Sequence, residues 1–144
     1  MSLFSSLSVS ASGMSAQRAR AELIVENLAN SQTTRTGDGG PYKRKDAVFT
    51  STPQDSPFAS IFESELGPQG VAMTDVVEDS RPPIRRYQPG HPDADDSGYV
   101  SYPNINPAED MVDLIGSSRG YQANVSAMSA VKDMIAKSID LFRS

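Results

Sequence analysis

The sequence predicts an α+β chain in which long N- and C-terminal helices pair as a coiled coil around a small, β-rich inserted module. Three observations predict it. Near the N-terminus Phe4, Leu7, Ala11, Met14, Ala21, Val25 and Leu28 recur at alternating steps of three and four, interrupted only by Arg18. Near the C-terminus Met111, Leu114, Tyr121, Val125, Met128, Ile135, Ile139 and Phe142 repeat the pattern, with Ser118 and Lys132 as polar interruptions. That 3.5-residue period is the seam by which one helix packs along another. All ten prolines fall between Pro41 and Pro107, so the chain between the seams is broken into short pieces.

The boundaries follow from local chemistry. The first helix is expected from about Leu3 to Ala29, with residues 1–30 as the N-terminal segment. Asn30 ends it, because asparagine tolerates the left-handed conformation found at helix C-termini. Gly13 weakens its interior by about 1 kcal/mol relative to alanine. The insert spans 31–106 and reads as short extended pieces between turns. Candidate strands are Tyr42–Thr50, Val71–Val77, Ile84–Tyr87 and Gly98–Tyr102. Thr52-Pro53 to Pro57 and Pro89 to Asp96 are expected as exposed loops, and Phe58 to Leu66 suits either a short helical turn or a mobile loop. The C-terminal segment, 107–144, starts with Asn106 as cap, Pro107 at the first helical position and Glu109 and Asp110 in the first turn. Asn106 and Glu109 also have the spacing of a capping box. Gly116 and Gly120 fit either a close helix approach or a tolerated defect.

The apolar faces exceed what a hairpin of two helices covers. The C-terminal helix carries Val112, Ile115, Val131, Met134 and Leu141 on stripes beside its main seam, and the N-terminal one adds Leu3 and Ile24. Large uncovered apolar faces mark interaction surfaces. Packing residues are therefore expected at Leu7, Met14, Val25 and Leu28 on one helix, and at Met111, Leu114, Val125, Met128 and Ile135 on the other. Two readings fit the residues: an assembly subunit whose ends order as neighbours join, and a monomeric helical hairpin with a surplus of surface leucines.

Composition and motifs point away from chemistry. There is no cysteine and only one histidine, His91, which removes thiolate and multi-histidine metal sites. No nucleophile elbow surrounds any serine, so no catalytic residue is assigned. Asp93, Asp95, Ser97 and Gly98 imitate the opening of a calcium loop, but the twelfth position is Asn104 and no helix flanks the run. An acidic turn is expected there. Neither a metal nor a cofactor is expected. Net charge is −5, concentrated in the insert, and no basic stripe suited to nucleic acid runs along either helix. Lys43-Arg44-Lys45 and Arg81…Arg85-Arg86 are expected as solvated faces. Serines interrupt the apolar residues at the N-terminus, so a cleaved signal is not expected, and no stretch is long enough for a membrane span.

A resemblance adds identity to this outline. Ser15-Ala16-Gln17-Arg18 through Glu26-Asn27-Leu28-Ala29-Asn30-Ser31-Gln32-Thr33-Thr34 resembles the N-terminal signature of bacterial flagellar rod and hook proteins. Gly39 to Lys45, Pro89 to Asp95 leading into Gly98-Tyr99-Val100, and Pro103 to Pro107 are similar to segments of a proximal rod subunit. Ser118-Arg119-Gly120-Tyr121-Gln122-Ala123-Asn124 completes the C-terminal signature, although Gly120 replaces an expected alanine and Gln122 a more frequent glutamate. The resemblance implies a structural subunit of the basal-body rod, a hollow shaft crossing the periplasm and transmitting motor torque. It implies other rod proteins and further copies of the chain as partners, and delivery by the flagellar type III export apparatus without a cleaved signal. It also assigns hydrogen bonding and packing within and between helices to Asn27, Asn30, Arg119, Tyr121 and Asn124. A cytoplasmic adaptor that binds one helical partner is the alternative that the residues themselves leave open.

Overall fold

The computed structural model describes residues 3–53 and 69–143. The order of elements is α1 (Leu3–Ala29), β1 (Lys45–Pro53), β2 (Gln69–Glu78), β3 (Ile84–Tyr87), β4 (Tyr99–Tyr102) and α2 (Pro107–Arg143). Two terminal helices thus enclose a β region made of two separate antiparallel ribbons, β1–β2 and β3–β4. The segment Phe58 to Leu66 lies outside the described residues, as does the stretch from Gln54 to Pro57.

α1 and α2 run antiparallel. Gly13 lies against the side chain of Asn124, and Gly120 against that of Gln17. One helix advances by four residues as the other retreats by four. The arrangement is reciprocal, because each helix offers a glycine and, four residues later, an amide side chain that covers the glycine opposite. A Cβ at either glycine would stand about 3.0–3.1 Å from that amide, so the missing side chain is what lets the backbones approach. Carried along both helices, this register sets Asn27 level with Asp110 and Leu3 level with Met134. Residues 135–143 then extend about 13 Å past the described start of α1.

The helix ends show how local chemistry sets boundaries. Asn30 does stop α1, but not by turning left-handed, since no described residue other than glycine has a positive φ. Its Nδ2 donates instead to the Glu26 carbonyl at 2.9 Å, and its Oδ1 accepts from Thr33 Oγ1 at 3.1 Å. The Glu26 carbonyl also accepts the Asn30 amide at 3.1 Å, so the side chain adds a second bond to the last turn. At the start of α2 the Asn106 Oδ1 accepts from the Ala108 amide at 3.2 Å, an N-cap bond.

β1 and β2 pair from Lys45↔Glu78 to Pro53↔Gln69, with a bulge at Val48/Phe49. The strand begins at Lys45 rather than Tyr42, because Tyr42 is bound elsewhere, its amide donating to the Thr33 carbonyl at 3.1 Å. It also continues through Thr52 and Pro53, residues expected in a loop; proline is tolerated at the end of a strand. The ribbon lies along α1. Lys45 at one end exchanges backbone bonds with Asn27, and the Val71 amide near the other donates to Ser12 Oγ at 3.1 Å. β3 and β4 coincide with their expected positions within one residue. Their ribbon is held by Val100, which is fully buried, and by Thr34 Oγ1 donating to Asp93 Oδ2 at 2.7 Å. The buried apolar residues, Ala16, Ile24, Tyr42, Val100, Ile105 and Val131, are few and scattered along the molecule.

Candidate functional site

The surface that distinguishes this chain is the outside of its helix pair. On α2 the positions turned inward are Asp110, Leu114, Ser117, Gly120, Asn124, Met128, Val131 and Ile135, all buried or half-buried. They follow the three–four rhythm of the apolar series read from sequence. Five of the eight, however, lie one residue earlier than the corresponding position of that series. Leu114, Met128 and Ile135 belong to both sets. Met111, Val125 and Ile139 do not, and they stand 54%, 41% and 54% exposed, with Tyr121 at 42%. On α1 the same rotation occurs. Ser10, Gly13, Gln17, Ile24 and Asn27 turn inward, whereas Phe4 and Val25 are exposed and Leu7, Met14 and Leu28 are half-buried.

The middle of the inward seam is small and polar, with Leu114 on one side of it and Met128, Val131 and Ile135 on the other. Its side chains satisfy themselves within their own helices: Ser10 Oγ donates to Ser6 O, Ser117 Oγ to Leu114 O and Asn124 Nδ2 to Gly120 O, each at 2.9 Å. Small residues with internally paired hydroxyls permit close approach without demanding a partner across the seam. Gln17 Oε1 is buried without a hydrogen bond, which costs stability. Other large apolar residues are left on the outside of α2, where Val112, Ile115, Met134 and Leu141 join the exposed stripe. Arg119 lies on this outer side as well.

A second concentration of chemistry sits where α1 ends and α2 begins. Asn27, 1% exposed, donates from Nδ2 to the Lys45 carbonyl at 2.8 Å. Its Oδ1 accepts from the Lys45 amide at 2.9 Å and from the Tyr42 hydroxyl at 3.1 Å. The amide side chain thereby replaces a neighbouring strand at the outer edge of β1. Asp110, 0% exposed, accepts from Arg44 Nη1 at 2.7 Å, while its Oδ2 is buried without a partner. Arg44 also reaches Asp46 at 3.2 Å and Asp113 at 3.8 Å. Lys45 Nζ closes on Glu26 at 2.7 Å. The Lys43–Lys45 run is therefore only partly a solvated face. Burial pushes the Asp110 carboxyl above its ordinary value, and the Arg44 guanidinium beside it opposes that shift. Burial, aided by the negative charge of Glu26, raises the Tyr42 hydroxyl to about 12.

Between these parts runs an open groove of about 360 Å³, floored by Leu23 and Ile24 and walled by Ala47, Asp46, Gly116 and Ser117. It holds no constellation of acid, base and nucleophile. His91 is half-buried in the turn before β4, with Nδ1 accepting from the Asp93 amide at 3.1 Å. Asp95 spends its carboxylate on that same turn. Its Oδ1 accepts from the Ser97 and Tyr99 amides at 2.9 Å, and Arg85 pairs with its Oδ2. Among the described residues no three potential ligands converge as a metal site, and no helix is long and apolar enough to cross a membrane.

Sequence reasoning did not find the joint at Arg44 and Asp110. The two are sixty-six residues apart, and each has an ordinary local reading as a strand-edge cation and a first-turn acid.

A long helix pair with its apolar residues outward and its chemistry spent on internal joints is a structural subunit. Comparison with known proteins agrees. Residues 96–141 match the family model described as flagellar basal body rod FlgEFG protein C-terminal. The flagellar basal-body rod protein FlgC of Bacillus subtilis is 40% identical over 98% of this chain and 99% of its own length. That of Borreliella burgdorferi is 37% identical over 99% of both, and that of Escherichia coli O6:H1 36% identical over 98% of both. The chain belongs to the FlgC family of flagellar basal-body rod proteins. It is a structural component of the flagellar basal body, where it assembles with other rod components, and not an enzyme.

Proposed function

We propose that the chain is a proximal-rod subunit that polymerises through α1 and α2 into the hollow periplasmic shaft carrying motor torque. The observation that carries this reading is the outward apolar stripe of α2. Met111, Val125 and Ile139 recur at a fourteen-residue interval on a face that α1 leaves uncovered. Helices of neighbouring subunits, whether copies of this chain or other rod proteins, cover that face and form coiled coils with it. The overhang of α2 beyond α1 extends the same surface. The middle of the inward seam is small and polar and much apolar surface stays outside it, so both helices order fully as neighbours arrive. Subunits reach the rod through the flagellar type III export apparatus, uncleaved.

The test is complementation of a strain lacking its own rod subunit. The intact chain restores swimming and is recovered uncleaved in purified basal bodies. Cytoplasmic retention of the protein in an export-competent strain would overturn the assignment in favour of an adaptor. Circular dichroism of the dilute monomer addresses ordering separately: helix content well below the sixty-four residues of α1 and α2 supports it, and full content refutes it.

A further inference from the structure

Three of the four most completely buried side chains are polar: Asn27, Asp110 and Ser117, beside Val100. The first two are level on the paired helices, and both are grasped by the segment that leads into β1. Asn27 holds Lys45 through both of its backbone groups, and Asp110 holds Arg44. Beside these, Lys45 Nζ pairs with Glu26 at 2.7 Å and the far end of the ribbon has a single bond, from the Val71 amide to Ser12 Oγ at 3.1 Å. Val48, Met73, Val76 and Val77 are exposed, and Phe49 meets α1 beneath the flexible guanidinium of Arg20. Apolar contact is non-directional, so packing of this kind resists separation but not rotation. Hydrogen bonds are directional, and the three that join Asn27 to Lys45 and Asp110 to Arg44, gathered at one end, define an angle.

We propose that Asn27, Arg44 and Asp110 are positioning residues that set the angle at which the β1–β2 ribbon stands on the helix pair. Burying an ion pair with one carboxylate oxygen unpartnered is a poor way to gain stability, since apolar residues of similar size usually do as well or better. The pair instead supplies a single geometry: the Arg44 fork addresses Asp46, Asp110 and Asp113 together, on β1 and on the first two turns of α2. In a subunit whose helices stack on those of its neighbours, that angle decides where each ribbon stands relative to the next subunit. The proposal rests on the rod-subunit reading.

The experiment uses the full chain in the complementation strain. Arg44→Met combined with Asp110→Leu replaces the pair by apolar groups and leaves no buried charge without a partner, since Asp46 and Asp113 are exposed. Arg44→Lys keeps the charge on Asp110 but loses the fork. We expect both variants to accumulate and be exported like the parent while swimming is lost. A pair that served stability alone would be replaceable, so parental swimming in the apolar double variant overturns the proposal. If that variant does not accumulate, Arg44→Lys decides, and parental swimming with lysine at position 44 is the overturning result. Failure of the unmodified chain to complement would instead refute the rod-subunit reading, which separates the two.

Discussion

Asn27 shows what a single side chain contributes here. It stands on the inward face of α1, one residue before the apolar series at Leu28, yet it meets the β1 backbone rather than another helix. Truncating Asn27→Ala leaves the Lys45 amide and carbonyl unpaired in a buried setting, which costs about 3 kcal/mol. Urea denaturation followed at the insert is the appropriate measurement, and a loss below about 1 kcal/mol would mean that water replaces the amide. Tyr42 offers a pH test of the same joint. Its folded-state pKa of about 12 lies above the ordinary 10.0, so the folded protein holds the phenolic proton more tightly than the unfolded chain does. The stabilisation is complete below pH 10 and declines as pH rises towards 12. Tyr42→Phe is expected to remove this alkaline decline while costing about 1 kcal/mol near neutrality through the lost bond to Asn27. An unchanged alkaline profile in that variant would assign the titration to another group.

At the scale of elements, two glycines carry testable constraints. Gly98 precedes β4 with φ of +79°, and a Cβ there would stand 2.9 Å from the Tyr87 ring and 3.2 Å from Pro89 Cβ. Gly98→Ala is therefore expected to destabilise the β3–β4 ribbon by about 2 kcal/mol, since left-handed backbone alone costs 1–2. Chemical denaturation with tyrosine fluorescence, which senses the Tyr87–Tyr99 edge contact, measures it. Gly13 tests the helix pair. Because the chain has no cysteine, Gly13→Cys with Asn124→Cys gives a background-free pair whose Cβ atoms lie near disulfide range. Oxidation is expected to form the bond within one chain, seen as a compact monomer on non-reducing gels. Products that are entirely cross-linked dimers would mean that the helices pair between subunits instead. The same contacts explain Gly120, where alanine was expected by resemblance: Gln17 occupies the space that a methyl group would take.

For the whole molecule, the outward and inward faces of α2 should respond differently to charge. Val125→Asp places a carboxylate on an exposed position, so monomer stability is expected to change by no more than about 0.5 kcal/mol. Rod assembly should nevertheless fail, read as loss of swimming with normal protein levels. Normal swimming in that variant would remove Val125 from the subunit interface. The division between legible and hidden features falls along the same faces. Periodicity alone placed both terminal helices and the β3 and β4 strands within a residue or so of their observed limits, because apolar spacing, proline and capping chemistry act locally. It also showed that the apolar faces exceed one partner's reach, and the signature runs at both ends carried the resemblance to rod proteins. Tertiary structure decided which stripe goes where. Two helices bring their backbones closest where side chains are smallest, so Gly13, Ser117, Gly120 and Asn124 took the inner seam and the larger Met111, Val125 and Ile139 were turned out. It decided the joint too: whether Arg44 is a solvated cation or a buried partner depends on what the fold sets beside it, and Asp110 lies sixty-six residues away along the chain.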